Sequence, residues 1–334
     1  VVGTPGRICD HLRKKTLVLE RVSTLVLDEA DRMLEMGFVD DITAIIDSTP
    51  AGRQTLLFSA TYPDDIQTLS ERFQRSPQQV SVTALPSDAH IDQRFFICDK
   101  RDRLPGLVKL LHHFGPAAAV VFCNTKELVR EVCRALEAEN ISALALHGDM
   151  EQRDRDQVLI RFRQQSCSVL VATDVAARGL DIDDLPAVVN IELPRSPEVY
   201  VHRIGRTGRA GKTGLALSLF ADSERYKLAA IEDYLQRELA FEVLETLAQG
   251  DGRMPWPPYV TLSIAGGRKQ KVRPGDILGA LTGEAGIEGA RVGKINVTDF
   301  ASYVAIEQEA AERALGRLLN GRIKGRKFKI RRLD

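Results

Sequence analysis

The first part of the chain is organised by residues 25–31, which read LVLDEAD. The apolar half of this stretch is typical of a strand buried on both faces of a parallel sheet. Ligands of open α/β sheets lie beyond the carboxyl ends of the strands, so Asp28 and Glu29 are expected to project into such a crevice. There, one carboxylate can hold a magnesium ion while the next orients and deprotonates an attacking water. Taken alone, the stretch is explained equally well by Asp28 capping the following helix.

Length and composition predict a soluble protein of two or three domains. The chain has 334 residues, of which 44% are hydrophobic and 28% are charged. It contains no apolar run of about eighteen residues, so no membrane span or membrane partner is predicted. The five cysteines are scattered without a Cys-x-x-Cys pair. This favours reduced thiols and a cytoplasmic location over disulfides or a zinc site.

The charge is unevenly distributed although its sum is zero. Residues 253–334 contain 16 Lys and Arg against 8 Asp and Glu, a net charge of +8, and the preceding residues carry −8. A basic terminal segment on an acidic body indicates an appended module that binds a polyanion. A solvated charged face is the alternative.

Residues 1–83 alternate strands, predicted at 22–27 and 54–58, with helices, predicted at 34–47 and 64–73. Residues 4–7 (TPGR) are predicted as a turn before a helix, with Arg7 available to a phosphate. Residues 59–61 (SAT) end the second strand, and their hydroxyls could bridge carboxylates such as Asp31. Alone, the first motif is an ordinary loop and the second is more often a helix cap.

Residues 84–92 lack periodicity and are predicted as a linker before a second α/β series at 93–245. Alternating strands and helices of this length imply a parallel sheet covered on both faces. The predicted strands are 94–98, 119–122, 143–146, 169–172, 187–191 and 215–220, and the predicted helices are 104–114, 126–139, 152–163, 197–204 and 223–239.

Polar residues recur where these strands end, at Thr125, residues 147–149 (HGD) and Thr173. The densest signal is residues 202–209 (HRIGRTGR), in which Arg206 is expected on the same face of a helix end as His202. Planar guanidinium groups are the usual donors to a transferring phosphoryl group. So many polar groups on one sheet edge predict a binding surface rather than a solvated loop.

Residues 210–213 (AGKT) are not a phosphate-binding P-loop. The pattern requires a glycine at the position occupied by Arg206, and no buried strand leads directly into the turn. No other P-loop occurs in the 334 residues.

Taken in order, the motifs resemble those of the DEAD-box RNA helicases. The matching stretches are TPGR at 4–7, DEAD at 28–31, SAT at 59–61, VFCNT at 121–125, residues 172–181, and HRIGRTGR at 202–209. The resemblance implies an α/β fold with two RecA-like parallel-sheet domains that close over ATP and single-stranded RNA. The P-loop and adenine-reading glutamine motif of the family are absent. We therefore expect an amino-terminally truncated helicase whose first RecA-like domain, 1–83, is incomplete and whose fragment alone is inactive.

The resemblance also implies a role for individual residues. Asp28 would hold Mg²⁺, and Glu29 would activate the attacking water. Asp181 would contact the ribose, and Arg206 and Arg209 would reach the γ-phosphate. The residues that would couple the ATP site to domain closure are Asp31, Ser59, Thr61 and His202. Those that would lie along the RNA backbone are Thr4, Arg7, Thr125, Arg153 and Thr173. Such backbone contacts are independent of RNA sequence.

After a linker at 246–257, residues 258–334 follow the order β-α-β-β-α-β, with strands predicted at 260–264, 291–297, 302–306 and 327–331 and helices at 274–282 and 308–319. This order predicts a small α+β domain of the RNA recognition motif (RRM) type. Ala301 and Thr261 stand where stacking rings are expected, which leaves Tyr303. Basic residues are therefore expected to carry most of the RNA binding, and these are Arg268, Lys269, Lys271, Arg273 and the run at 324–332, including Lys327 and Lys329.

A helicase core with this appendage is similar to the bacterial DbpA subgroup. That resemblance implies binding to a hairpin of the large-subunit ribosomal RNA and action on a pre-ribosomal particle during ribosome assembly. Two alternatives remain open at this point. The chain could be a non-enzymatic RNA-binding clamp, or, less well supported by the motifs, a relative that translocates on DNA.

Overall fold

The computed structural model describes residues 1–59, 62, 64–80, 91–177, 184–208, 213–248, 253–283 and 286–333. The chain divides into two compact units, Val1–Thr83 and Ala84–Asp334. Thr61, Asp181 and Arg209 lie outside the described residues, as does most of the predicted linker at 84–92. In the part of the chain that is described, no helix has the length and apolar character needed to cross a membrane.

The first unit contains a two-stranded parallel sheet with helices packed on the face that carries Leu27 and Leu57. Ile42 and Ile66 complete this core with almost no exposure to solvent. The elements in order are α1 (Pro5–Arg13), β1 (Thr24–Leu27), α2 (Ala30–Glu35), α3 (Val39–Asp47), β2 (Gln54–Leu57) and α4 (Asp64–Phe73).

Three predictions for this unit were wrong, and the first two concern a strand and a helix. The strand at 24–27 is not buried on both faces, because Val26 is 51% exposed on the side away from the helices. Leu56 and Phe58, on the neighbouring strand and just after it, are also exposed. The single helix predicted at 34–47 is two helices. Gly37 separates them with a φ of 75°, a left-handed conformation that glycine adopts without a steric cost.

Residues 4–7 also differ from the predicted turn. Pro5 begins α1 with Thr4 as the N-cap, so Pro5 and Gly6 are helical. Proline suits the first helical position because its missing N–H would have had no partner there.

The second unit begins with a seven-stranded parallel sheet in the order β5-β6-β4-β7-β8-β3-β9. All five residues of β4 are buried, as predicted for a sheet covered on both faces. The strands are β3 (Ile91–Ile97), β4 (Ala119–Cys123), β5 (Ala143–Leu146), β6 (Val169–Thr173), β7 (Ala187–Asn190), β8 (Gly214–Phe220) and β9 (Phe241–Val243), the last of which was not predicted. The helices are α5 (Arg103–Phe114), α6 (Lys126–Ala138), α7 (Gln152–Arg163), α8 (Asp174–Ala177), α9 (Pro197–Ile204) and α10 (Arg225–Leu235).

Part of the segment predicted as a linker at 246–257 packs on this sheet. Met254 is buried in the same apolar cluster as Leu107 and Val132, and its N–H donates to His112 Nδ1 at 3.3 Å. Ser168 Oγ donates to the carbonyl of Pro255 at 2.8 Å. The chain is therefore fixed to the seven-stranded sheet immediately before the terminal elements begin.

The terminal elements form a four-stranded antiparallel sheet in the order β11-β12-β10-β13, with its own apolar core. They are β10 (Tyr259–Ile264), α11 (Pro274–Thr282), β11 (Val292–Val297), β12 (Ser302–Glu307), α12 (Ala311–Asn320) and β13 (Ile330–Leu333). The last strand begins three residues later than predicted, so Lys327 and Lys329 precede it. Val260, Leu262 and Val304 face the core shared with the two helices.

Candidate nucleotide and RNA sites

The acidic motif lies at the carboxyl end of β1, where the chain turns into α2. Asp28 and Glu29 are both exposed, and Glu29 N donates to Asp28 Oδ1 at 3.0 Å. Glu29 has a φ of 52°, a left-handed conformation that costs a residue with a side chain about 1–3 kcal/mol and clusters at functional sites. The turn therefore presents two adjacent carboxylates to solvent at the sheet edge where ligands of α/β proteins bind.

The end of β2 is tied to the same turn. Ala30 N donates to the carbonyl of Phe58 at 3.0 Å, and Asp31 N donates to Ser59 Oγ at 3.2 Å. Because β1 and β2 are parallel, their carboxyl ends lie at one edge of the sheet. The predicted proximity of the DEAD and SAT motifs is thus present at Asp31 and Ser59, although the contact runs through the backbone N–H of Asp31.

At the amino end of α1, Thr4 and Arg7 are exposed. Arg7 Nη1 lies 3.0 Å from Asp10 Oδ2 in a solvent-exposed ion pair. Pairs of this kind contribute about 0–1 kcal/mol, so a phosphate can replace Asp10 as the partner of Arg7 at little cost.

In the second unit, Arg203 is the centre of a buried polar network. Its Nε and Nη2 donate to the two carboxylate oxygens of Asp174 at 2.7 and 2.8 Å. Nη1 donates to Asn190 Oδ1 at 3.0 Å, and Nη2 also lies 2.9 Å from Asn124 Oδ1. The guanidinium lies 5.2 Å from the centre of the Phe122 ring. One side chain thereby joins the ends of β4, β6 and β7 to α9.

His202, the neighbour of Arg203, is exposed in the last turn of α9. The helix ends at Ile204, so Arg206 lies beyond it and the predicted shared helical face is wrong. The carbonyl of Arg206 instead accepts from Leu185 N at 3.0 Å. A side chain on Gly214 would collide with Thr207 and Gly208, so glycine is needed for β8 to pass this turn.

The predicted RNA-backbone residues of this unit lie at strand ends and on one helix. Thr125 caps α6 by accepting from Leu128 N at 3.2 Å, and Thr173 ends β6 beside it in the register that pairs Cys123 with Thr173. Arg153 is exposed in the first turn of α7. Thr125 and Thr173 therefore share one edge of the sheet, as predicted from their positions.

The six individually predicted RNA-binding residues of the terminal part are all exposed, and they are Arg268, Lys269, Lys271, Arg273, Lys327 and Lys329. Lys324 Nζ donates to the carbonyl of Lys271 at 3.1 Å, which brings the two basic stretches of sequence together. Arg268 also lies 3.3 Å from Asp299. The two stretches form one cationic surface, hereafter the basic surface.

The open face of the four-stranded sheet is covered by the carboxyl end of α7. Gln164, which is 2% exposed, donates from Nε2 to Asn296 Oδ1 at 2.9 Å and to the carbonyls of Lys294 and Tyr303 at 3.1 and 3.2 Å. Its Oε1 accepts from Thr261 Oγ1 at 2.9 Å. Tyr303 is therefore only 5% exposed, and burial raises the pKa of its hydroxyl. The ring expected to remain for base stacking is covered by the protein itself.

The networks around Arg203 and Gln164 were not predicted from the sequence. Arg203 stands inside the HRIGRTGR motif, and the alternation of buried positions on α9 could have indicated that it points inward. Gln164 follows the last turn of a polar helix and has no sequence signal of its own.

Comparison with known proteins agrees with these features. Residues 1–69 match the DEAD/DEAH box helicase family, residues 99–211 match the helicase conserved C-terminal domain, and residues 261–332 match the DbpA RNA binding domain. The whole chain is 49% identical to the ATP-dependent RNA helicase DbpA of Escherichia coli (strain K12) and covers 72% of it. It is 37% identical to DbpA of Bacillus subtilis (strain 168) and covers 74% of that protein.

A solved structure of Saccharomyces cerevisiae Dbp5 bound to RNA and ADP BeF3 matches 72% of this chain with a TM-score of 0.66 and 31% identity. The match covers 64% of the Dbp5 chain. The family matches and this structural match, together with the parallel sheets, define the class of protein as a helicase with RecA-like domains, which confirms the predicted fold class. The chain belongs to the DbpA-like group of DEAD-box ATP-dependent RNA helicases.

Proposed function

We propose that this chain acts in an ATP-dependent RNA helicase that separates RNA duplexes locally. The observation that carries the proposal is the β1–α2 turn, where a left-handed Glu29 follows Asp28 and both carboxylates face solvent. A backbone conformation of this kind persists where the surrounding structure holds it, and its cost is consistent with a catalytic position.

The donor set at this turn fits magnesium, since Mg²⁺ binds through one or two carboxylates together with substrate phosphates. Asp28 would hold the ion, which would supply charge neutralisation at the transferring phosphoryl group. Glu29 accepts a proton from the attacking water and orients it. Asp31, Ser59, Thr61 and His202 couple this site to closure, Asp181 binds the ribose, and Arg206 and Arg209 donate to the γ-phosphate.

RNA backbone contacts are made by Thr4, Arg7, Thr125, Arg153 and Thr173, and the basic surface of the terminal part selects the target. The match to the DbpA RNA binding domain and the exposure of all six predicted basic residues support this assignment. The subgroup resemblance leads us to propose a hairpin of the large-subunit ribosomal RNA as target, within a pre-ribosomal particle in the cytoplasm.

The 334 residues contain no P-loop motif. We therefore propose that this polypeptide hydrolyses ATP negligibly by itself, because stabilising the transition state requires donors on both sides of the γ-phosphate. The competing function is a non-enzymatic RNA clamp, which would use the same RNA-binding residues without hydrolysing ATP.

RNA-stimulated ATP hydrolysis by the full gene product distinguishes the two functions. Glu29→Gln should lower turnover by about 10²–10⁴-fold with ATP binding retained, since a general base contributes about this much. Glu20→Gln, at an exposed carboxylate of the same unit, is the matched control and should leave turnover unchanged. Near-normal turnover in Glu29→Gln would remove the assignment of the base, and no turnover in the wild-type protein would favour the clamp.

A further inference from the structure

One cleft in the second unit is lined by both α7 and the four-stranded sheet. It has a volume of about 750 Å³, within the range of about 300–1,000 Å³ found for small-ligand pockets. Arg153 lines it from α7, and Phe300, Tyr303, Lys329 and Arg331 line it from the terminal part.

The cleft exists because α7 covers only part of the sheet. Around Gln164 the sheet and the helix are in contact, and Thr261 and Ala305 are completely buried there. Towards the other end of the strands, Ala265 and Lys329 are exposed, and the helix no longer covers the sheet. The surface that an RRM uses to stack bases is therefore divided into a closed half and an open half.

Phe300 is the large apolar side chain of the open half, and it is 70% exposed. It lies in the turn between β11 and β12, which is closed by three hydrogen bonds between Thr298 and Ala301 at 2.8, 2.8 and 3.1 Å. The ring is thus presented to solvent by an ordered turn. Because the backbone of this turn is ordered and the face of the phenyl ring is open to solvent, the ring can stack on a base.

The side chains that line the cleft carry three cations and two carboxylates, a net formal charge of +1. Arg153, Lys329 and Arg331 line it together with Asp156 and Asp299. The carboxylate of Asp299 is paired with Arg268 at 3.3 Å, outside the lining of the cleft. That of Asp156 accepts from Gln152 Nε2 at 2.7 Å. Arg331 donates through Nη2 to Gln157 Oε1 at 3.3 Å, which orients its guanidinium at the cleft wall.

We propose that this cleft binds one unpaired nucleotide of single-stranded RNA, with its base stacked on Phe300 and its flanking phosphates beside Arg153, Lys329 and Arg331. A ring next to a cationic groove is the arrangement by which proteins bind single strands without reading their sequence. The inference rests on the proposed RNA helicase function and deepens it. An RNA strand bound in this cleft would run from the proposed RNA contact on α7 to the terminal part, and both lie in the second unit.

Binding of a short fluorescent oligouridylate to the 334-residue chain, measured by anisotropy at low salt, tests the proposal. Phe300→Ala should weaken binding about 5- to 150-fold, the equivalent of ~1–3 kcal/mol for one stacked base. Phe300→Trp should retain wild-type affinity, because it keeps an aromatic face. Tyr226→Ala removes a ring that is 68% exposed on α10, away from the cleft, and should have no effect.

A second readout locates the contact. An oligouridylate that carries 5-iodouridine should crosslink to Phe300 on irradiation, and Lys329→Gln should lower the salt dependence of binding by about one phosphate contact. If Phe300→Ala left RNA binding unchanged, or if Tyr226→Ala weakened it equally, the proposed nucleotide site in the cleft would be refuted. The helicase proposal would be unaffected by either result. No RNA binding by the wild-type chain at low salt would overturn both.

Discussion

Replacing Arg203 should strongly destabilise the second unit. Its side chain is 1% exposed and donates to both oxygens of Asp174, at 2.7 and 2.8 Å, and to two asparagine side chains. In Arg203→Met these acceptors lose their buried donor, and removing one partner of a buried ion pair costs about 3–5 kcal/mol. Arg203→Lys keeps the charge but not the planar fork, so a loss of about 1.5–3 kcal/mol is expected.

Amide hydrogen exchange measures this loss locally, which avoids treating a chain of two units as a single two-state system. A loss of 3–5 kcal/mol corresponds to exchange roughly 150- to 5,000-fold faster in β4, β6 and β7, whose ends the network joins. The control is Arg195→Met, at an exposed arginine two residues before α9, which should change stability by less than about 0.5 kcal/mol. Wild-type protection in Arg203→Met would refute the assignment of this network as a stabilising element.

Three further predictions concern the second unit. Gln164→Ala should cost about 1–3 kcal/mol and accelerate amide exchange in β11 and β12, because it leaves buried polar groups without partners. Burial raises the pKa of Cys167 to about 11, so the unfolding free energy of the second unit should fall as the pH rises from 9 towards 11, by at most about 1.4 kcal/mol per pH unit from this thiol. Cys167→Ala should remove this contribution, measured by urea unfolding followed through the fluorescence of Trp256, which lies in the second unit. The triple replacement of Lys269, Lys271 and Arg273 by Ala should weaken hairpin RNA binding by the chain and lower its logarithmic salt slope by about one per residue.

Each of these has a result that would count against it. Gln152→Ala, at an exposed glutamine at the other end of α7, should leave amide exchange in β11 and β12 unchanged. An equal effect from both replacements would show that Gln164 does not stabilise these strands through its hydrogen bonds. The sign of the pH effect follows from the raised pKa, because the unfolded state loses the thiol proton first. A stability that rises above pH 9 would contradict it. An unchanged salt slope in the triple variant would place the phosphate contacts elsewhere.

The secondary structure of the second unit was largely predictable because its apolar strands and amphipathic helices follow simple periods. Helices α7, α9 and α11 have the predicted bounds. Two of these three have proline at their first position, a local signal of helix initiation. The errors fall where a local break decides the structure, as at Gly37, where a positive φ ends a helix whose apolar period continues.

The candidate sites were predictable only as far as motifs specify them. The DEAD motif led to Asp28 and Glu29 at the end of β1, but not to the left-handed backbone of Glu29. The composition of the terminal strands indicated that the sheet is poor in stacking rings. It could not show that Gln164, more than 90 residues earlier than Thr261, covers the remaining Tyr303. A contact between distant segments depends on packing, which no periodicity within a short window records.

The most direct test of the proposed helicase activity is strand separation by the full gene product on a short RNA duplex placed beside a structured hairpin. The strands should separate only when ATP and Mg²⁺ are present, and Glu29→Gln should abolish separation while RNA binding remains. Separation that proceeds equally without ATP, or that Glu29→Gln leaves intact, would contradict the proposed ATP-dependent helicase.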